Sequence, residues 1–176
     1  PRGFVRDQPK YVMIPSNARR RHVAVEERLV RLRELANSTP LNRVERGDDS
    51  VGIITSGVSY QYVKEACPQA SVLKLGMAYP FPDSLVREFA ASVRRLFVVE
   101  ELDPFLEEQT RALGIEVIGK ERFTILGELD PVAVAAGVSG RRRRRSAFRQ
   151  QEGLPARPPV MCPGCPHRGV YHVLKK

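Results

Sequence analysis

Two thiols, an imidazole and a guanidinium fall within one short stretch, Cys162-Pro163-Gly164-Cys165-Pro166-His167-Arg168. Cysteines three apart, joined by Pro-Gly, make a tight turn that aims two thiolates at one point. A metal ion or an iron–sulfur cluster needs that convergence. The same pair could act as a redox dithiol, although such motifs normally sit in an early βαβ unit and this one follows a proline-rich stretch. A zinc site would need two further ligands. Only His167 and His172 are near, and Cys165-x-His167 is too tight for a zinc finger. Two ordinary thiols are the plain alternative. Gly164 lets a backbone approach a ligand closely. A helix expected over Gly169 to Leu174 would turn its amino terminus to the same place, where free N–H groups attract phosphate. Gly164, His167 and Arg168 could therefore suit an anionic cofactor, against the simpler reading of a solvated histidine.

Other groups carry weaker chemistry. Gly52-Ile53-Ile54-Thr55-Ser56-Gly57 reads as strand, turn and helix start, and Ser56 and Gly57 could cradle a phosphate. The stretch lacks both the dinucleotide glycine pattern and the P-loop lysine, so a tight βα turn is the plainer reading. Glu100 and Glu101 follow an apolar run, Leu96 to Val99. Paired carboxylates at a strand end could do acid–base work or serve as a helix-entry contact. Arg141 to Arg145 could bind nucleic acid or an acidic lipid surface, but no aromatic residues interleave them. No Ser/His/Asp set is visible, because His22, His167 and His172 all lie outside the central region. No residue is assigned a catalytic role.

These groups need a scaffold. Residues 1–16 read as extended, with Pro9 and Pro15 opposing helix. A helix follows from a cap at Asn17 to about Ala36, with Val25, Leu29, Leu32 and Ala36 on one face and arginines on the other. From Ser50 the pattern changes to alternation. Strands are expected at 51–55, 72–75, 96–99 and 115–118, and helices at 58–66, from Asp83, from an Asp103-Pro104 cap to Leu113, and from Asp130-Pro131. Short strand–helix connections imply parallel strands with helices on both faces. The expected fold is α/β, a three-layer, doubly wound, mostly parallel sheet. The organisation read from the chain is an extended segment and amphipathic helix over 1–49, the α/β domain over 50–137, an Arg/Pro-rich linker expected to be disordered over 138–159, and over 160–176 the opening of a domain that continues past Lys176.

The totals narrow the classes. With 176 residues the chain can bury one good core, and 42% hydrophobic with 28% charged residues is ordinary for a globular protein. No apolar run approaches the roughly 20 residues that span a bilayer. Three cysteines without an export signal point to a reducing cytoplasm. The net charge of +9 is uneven: residues 1–49 carry 11 basic and 7 acidic side chains, 50–130 carry 8 and 12, and 131–176 carry 10 and 1. A basic nucleic-acid-binding protein would more often place that charge on its folded core. It and a small zinc or redox CxxC module stand as the alternatives to an enzyme segment.

Four runs in order carry a resemblance to a known family: Gly52 to Val63, Lys74 to Pro82, Val98 to Pro104, and Arg157 to Arg168. Together they resemble the alpha subunits of the indolepyruvate:ferredoxin oxidoreductases, a branch of the thiamine-diphosphate-dependent 2-oxoacid:ferredoxin oxidoreductases. The likeness covers nearly the whole chain. It implies that residues 50–137 are similar to the C-terminal domain of transketolases, a domain of assembly rather than chemistry. The first 49 residues look like the linker leaving a pyrimidine-binding domain. The last 17 look like the first turn of the domain that binds the cofactor diphosphate, with Gly164, Pro166, His167 and Arg168 at the cofactor. Cys162 and Cys165 then match iron–sulfur ligands, although Pro166 stands where the pyruvate enzymes have glycine. The implied reaction is oxidative decarboxylation of an aryl pyruvate, with ferredoxin accepting electrons and coenzyme A the acyl group. The parent would use thiamine diphosphate, magnesium and [4Fe-4S] clusters. Its partners would be the rest of the alpha subunit, a beta subunit and ferredoxin, with no nucleic acid and no membrane. This piece alone is expected to hold no cofactor and to be inactive.

Overall fold

The computed structural model describes residues 3–141, 153, 155 and 160–175. They fall into two units divided between residues 143 and 144.

The first unit is built on three apolar strands, β2 (Asp48–Ser56), β3 (Ala70–Leu75) and β4 (Leu96–Val99), with a short strand β1 (Arg43–Glu45) at one edge. The order across the sheet is β1-β3-β2-β4. β2 pairs in parallel with both neighbours, placing Ile53 beside Val72 and beside Phe97. β1 runs antiparallel to β3.

Neighbouring residues along each strand point to opposite faces, and both faces are apolar here. Ile54, Leu73 and Val98 join one cluster with Val86 and Phe89 of α4 (Asp83–Ala91) and Leu106 of α5 (Phe105–Ala112). Ile53, Val72 and Phe97 join another with Val63 of α3 (Ser59–Ala66) and Val134 of α6 (Pro131–Ser139). The sheet is therefore covered on both sides in three layers, as the alternation predicts. Each fully buried side chain of this kind contributes about 1.5–3 kcal/mol.

Caps agree with the sequence at two points. Asp130 Oδ1 accepts the Ala133 amide at 2.6 Å and starts α6. Gly114, at φ +77°, ends α5, and its amide donates to the Arg111 carbonyl at 2.8 Å.

Elsewhere the structure corrects the sequence reading. The long helix α2 (Pro15–Ser38) begins at Pro15, ahead of Asn17, and a four-residue helix α1 (Gln8–Tyr11) precedes it. Pro15 needs no amide partner at the first helical position. The Asn17 side-chain amide donates back to the Val12 carbonyl at 2.9 Å instead. The expected face of α2 is its least exposed side: Val25, Leu29 and Leu32 are half-buried and Ala36 is fully buried. Its carboxyl end locks onto α4, because the Leu85 amide donates to Asn37 Oδ1 at 3.1 Å.

Residues 115–118 do not form a full strand. A single parallel bridge joins Ile118 to Phe97. The Val98 amide donates to the Ile118 carbonyl and the Ile118 amide to the Leu96 carbonyl. β1 was not foreseen; three residues with two charges carry no strand signal of their own. Gly140, at φ +70°, closes α6. Most of the stretch read as a disordered linker, including Arg142 to Arg145, lies outside the described residues.

Among the described residues no helix is long and apolar enough to cross a membrane. Among its described residues the second unit holds one helix, α7 (His167–Leu174), preceded by the cysteine turn.

Candidate functional sites

In the second unit the Cys162–Cys165 segment folds as a tight turn. The Cys165 amide donates to the Cys162 carbonyl at 3.1 Å. Pro163 precedes Gly164, whose φ is +80°, so the four residues form a type II turn in which only glycine sits without strain at the third position. Nothing lies within 4 Å of where a Gly164 Cβ would stand, so the outer side of the turn is open.

α7 starts two residues later. The Arg168 amide donates to the Cys165 carbonyl at 3.1 Å. Cys165 Sγ lies 3.4 Å from His167 Nδ1, and all three cysteines of the chain are free thiols. The turn therefore brings Cys162, Gly164, Cys165, Pro166, His167 and Arg168 onto one short stretch at a helix amino terminus. No acidic residue stands in the first turn of α7. That charge pattern suits an anion. Among the described residues no three His, Cys, Asp or Glu side chains gather as a metal site.

In the first unit, the carboxyl ends of β2 and β4 meet where their connections part. The chain leaves β2 for α3 on one face and leaves β4 for α5 on the other. Such a divergence opens a crevice in doubly wound sheets. Here the crevice measures about 280 Å³ and is walled by Ser56 to Ser59 on one side and by Glu100, Glu101, Asp103 and Phe105 on the other.

The two glutamates resolve in favour of the helix-entry reading. Glu100 is buried, and its carboxylate oxygens accept the amides of Leu106 at 2.8 Å and Glu107 at 3.0 Å. It therefore caps α5 from five residues upstream. The expected cap, Asp103, makes no such bond. Burial pushes the Glu100 carboxyl above its ordinary range, opposed by those two amides and by Lys120. Lys120 Nζ donates to the Glu100 carbonyl at 2.6 Å. Glu101 Oε1 accepts the Leu129 amide at 3.0 Å and pins the loop before α6. Glu100 is thus engaged through both carboxylate oxygens and Glu101 through one.

Sequence reasoning missed Ser59. It is 2% exposed and lines the crevice. Its place two residues after Gly57, at the first position of α3, was the available signal. Arg141 is exposed, and the other four arginines of the run lie outside the described residues.

The chain matches no protein-family model. It is similar to the indolepyruvate oxidoreductase subunit IorA of Methanothermobacter thermautotrophicus, 36% identical over 191 residues that cover 99% of this chain and 31% of that protein. The IorA of Archaeoglobus fulgidus is 35% identical, covering 94% and 29%, and that of Pyrococcus horikoshii 34%, covering 99% and 30%. The chain thus spans about 30% of the length of the curated relatives it matches. A solved 2-oxoglutarate:ferredoxin oxidoreductase from Magnetococcus marinus aligns with a TM-score of 0.56 at 21% identity, over 74% of this chain and 24% of that one. At that identity the likeness is one of fold. It agrees with a domain of the transketolase C-terminal type.

Proposed function

We propose, from the premise that this chain belongs to the family of the indolepyruvate oxidoreductase subunits IorA, that it supplies a middle domain and the start of a cofactor-binding domain to a 2-oxoacid oxidoreductase. The carrying observation is similarity across 99% of the chain to a named oxidoreductase subunit. In this reading residues 1–49 link from a preceding domain, 50–137 form the middle domain, 138–159 form a second linker, and 160–176 open the cofactor domain. The whole enzyme oxidatively decarboxylates aryl pyruvates such as indolepyruvate in the cytoplasm, passing electrons to ferredoxin and the acyl group to coenzyme A. A beta subunit completes it.

When bound, thiamine diphosphate supplies the carbanion chemistry. The residues of this chain supply placement. The open side of the Gly164 turn, the amino terminus of α7 and the Arg168 guanidinium form a donor set that fits a diphosphate. Pro166 sets the entry to the helix, and His167, held beside Cys165 Sγ, presents its ring at the same end.

The thiols do not by themselves fit a cluster. A [4Fe-4S] centre takes four cysteines, and of the three in this chain Cys67 lies in the first unit. In this proposal Cys162 and Cys165 contribute two ligands to a set completed by other segments of the enzyme. Magnesium is assigned to no residue of this chain.

The test uses the parent enzyme with its partner subunit. Arg168→Ala should weaken thiamine diphosphate binding about tenfold or more, measured by cofactor titration of the apoenzyme. Unchanged affinity in both Arg168→Ala and His167→Ala would remove the cofactor assignment. The 176-residue chain alone, given thiamine diphosphate and indolepyruvate, should release no carbon dioxide. Turnover by it would defeat the reading.

A further inference from the structure

We infer that the outer edge of residues 115–118 receives an acidic, extended segment of a partner protein as an added strand, with its carboxylates on Arg95 and Arg111. The inference stands on the first unit alone and does not depend on the cofactor assignment above.

The edge is the first observation. Residues 115–118 pair inward with β4 through the Ile118 amide and carbonyl. Backbone groups of successive extended residues point to alternate sides, so those of Val117 face away from β4. The amides of Ile115, Glu116 and Val117, which belong to no helix or strand, donate to no group among the described residues. Among those residues no strand lies beyond this edge. A cavity of about 620 Å³ runs along it instead, with Leu96, Ile115 and Val117 in its wall. An open edge beside an apolar wall is what an extended peptide needs in order to add to a sheet.

Charge is the second observation. Arg94, Arg95 and Arg111 line the same cavity against one carboxylate, Glu116. Arg111 Nη2 lies 2.9 Å from Glu107 Oε1 and donates to the Val117 carbonyl at 3.2 Å. Arg95 Nη2 donates to the Val138 carbonyl at 3.3 Å, and its guanidinium lies 5.0 Å from the centre of the Phe97 ring. Both guanidinia are thus held in place while Nε and Nη1 keep no partner among the described residues. Arg94 makes no side-chain hydrogen bond there, and its charge reaches Asp48. Three guanidinia with donors to spare select an acidic partner.

Their placement sets the pattern of that partner. Phe97, under Arg95, belongs to the cluster beneath α3 and α6, whereas Arg111 stands on α5, which covers the other face. The two guanidinia therefore flank the edge from opposite faces. Successive side chains of a strand alternate between faces, so acids at adjacent positions in a β-branched run meet both arginines. Acids two positions apart meet one. A second copy of this chain would bring the same three arginines against themselves. Nucleic acid fits less well, because the cavity has an apolar wall and no aromatic side chain on which a base could stack.

The experiment is amide NMR of the labelled 176-residue chain titrated with three short peptides of Val, Ile, Thr and two Glu. The first has its acids adjacent, the second has them two positions apart, and the third is the first with alternate amides N-methylated. The first should shift the Glu116 and Val117 amides saturably, at a Kd of about 0.1 mM or tighter, and salt should weaken it. The other two peptides should bind about fivefold or more weakly, and Arg95→Gln and Arg111→Gln should each cost the first peptide as much. Glu116→Gln breaks no contact of the folded chain and should tighten binding. Equal binding of all three peptides would overturn strand addition, and an absence of shifts at Glu116 and Val117 would overturn the site. A single-stranded oligouridylate that displaces the first peptide at a lower concentration would give the surface to nucleic acid. Dilution-dependent shifts at those amides without peptide, with a dimer in sedimentation, would give it to a second copy. Either result would overturn the acidic partner.

Discussion

Glu100 and Leu106 are joined by a bond that closes a helix from outside it. The carboxylate at the end of β4 accepts the Leu106 amide at 2.8 Å, at the second residue of α5. It ties a strand end to the helix that crosses back over the sheet. Glu100→Ala leaves the Leu106 and Glu107 amides without an acceptor and should lower stability by about 2–3 kcal/mol in urea unfolding. Glu100→Gln keeps one acceptor and should cost less.

The same carboxyl gives a pH signature. Burial raises its folded value above the ordinary 4.5, more than the two amides and Lys120 lower it. The folded domain then holds this proton at a pH where the unfolded chain has lost it. Its contribution is complete below the unfolded value and is lost as pH rises through the folded one. Stability of the natural chain relative to Glu100→Gln should therefore decline with rising pH just above the carboxylate range. A flat difference between the two urea curves across that range would contradict this.

Glu45 behaves in the opposite sense. The Tyr60 hydroxyl donates to its Oε1 at 2.7 Å and Lys64 pairs with Oε2 at 2.9 Å, tying β1 to α3. These contacts, Tyr60 foremost, hold the carboxyl below its ordinary range. Their contribution is present above the unfolded value and disappears as pH falls through the folded one. Tyr60→Phe should cost about 0.5–1 kcal/mol at neutral pH, since the site is partly exposed. In acid the cost should shrink, as read by thermal melts at both pH values.

Thr55 carries a buried hydroxyl with no partner among the described residues. Val has the same shape without the polar atom. Thr55→Val should leave stability unchanged or raise it by about 1 kcal/mol, visible as a higher urea midpoint with an unchanged slope.

Gly137 faces Phe123 across the α6 packing. A Cβ at this glycine would overlap the Phe123 ring, which is itself buried. Gly137→Ala gains helix propensity but must move that ring. A net loss of about 1–3 kcal/mol is expected, with Gly137→Ala melting below the natural chain.

What the chain could state by itself was local. The short apolar runs of β2 and β4, the Asp130 cap, the Gly114 stop and the Cys162–Cys165 turn each depend on residues within about four positions of one another, and each stands where the sequence placed it. Contacts between distant residues were not legible. Residues 96–99 are apolar throughout and pair along their length with β2, whereas 115–118, of the same strand length, carry the exposed Glu116, meet one neighbour and make a single bridge. β1 is a strand only because Lys74, Leu73 and Val72 lie opposite it. Asp103 looked like the cap of α5, and Glu100 with Glu101 could be read as acid–base carboxylates or as a helix-entry contact. The fold moves the cap and decides for helix entry, because the return of the chain over β4 carries the Glu100 carboxylate to the open amides and leaves Asp103 at the crevice. Local pattern sets each element through torsions and near-neighbour hydrogen bonds. Which side chains lose water and which keep a free valence depends on packing between segments far apart in sequence, and only the assembled sheet decides that.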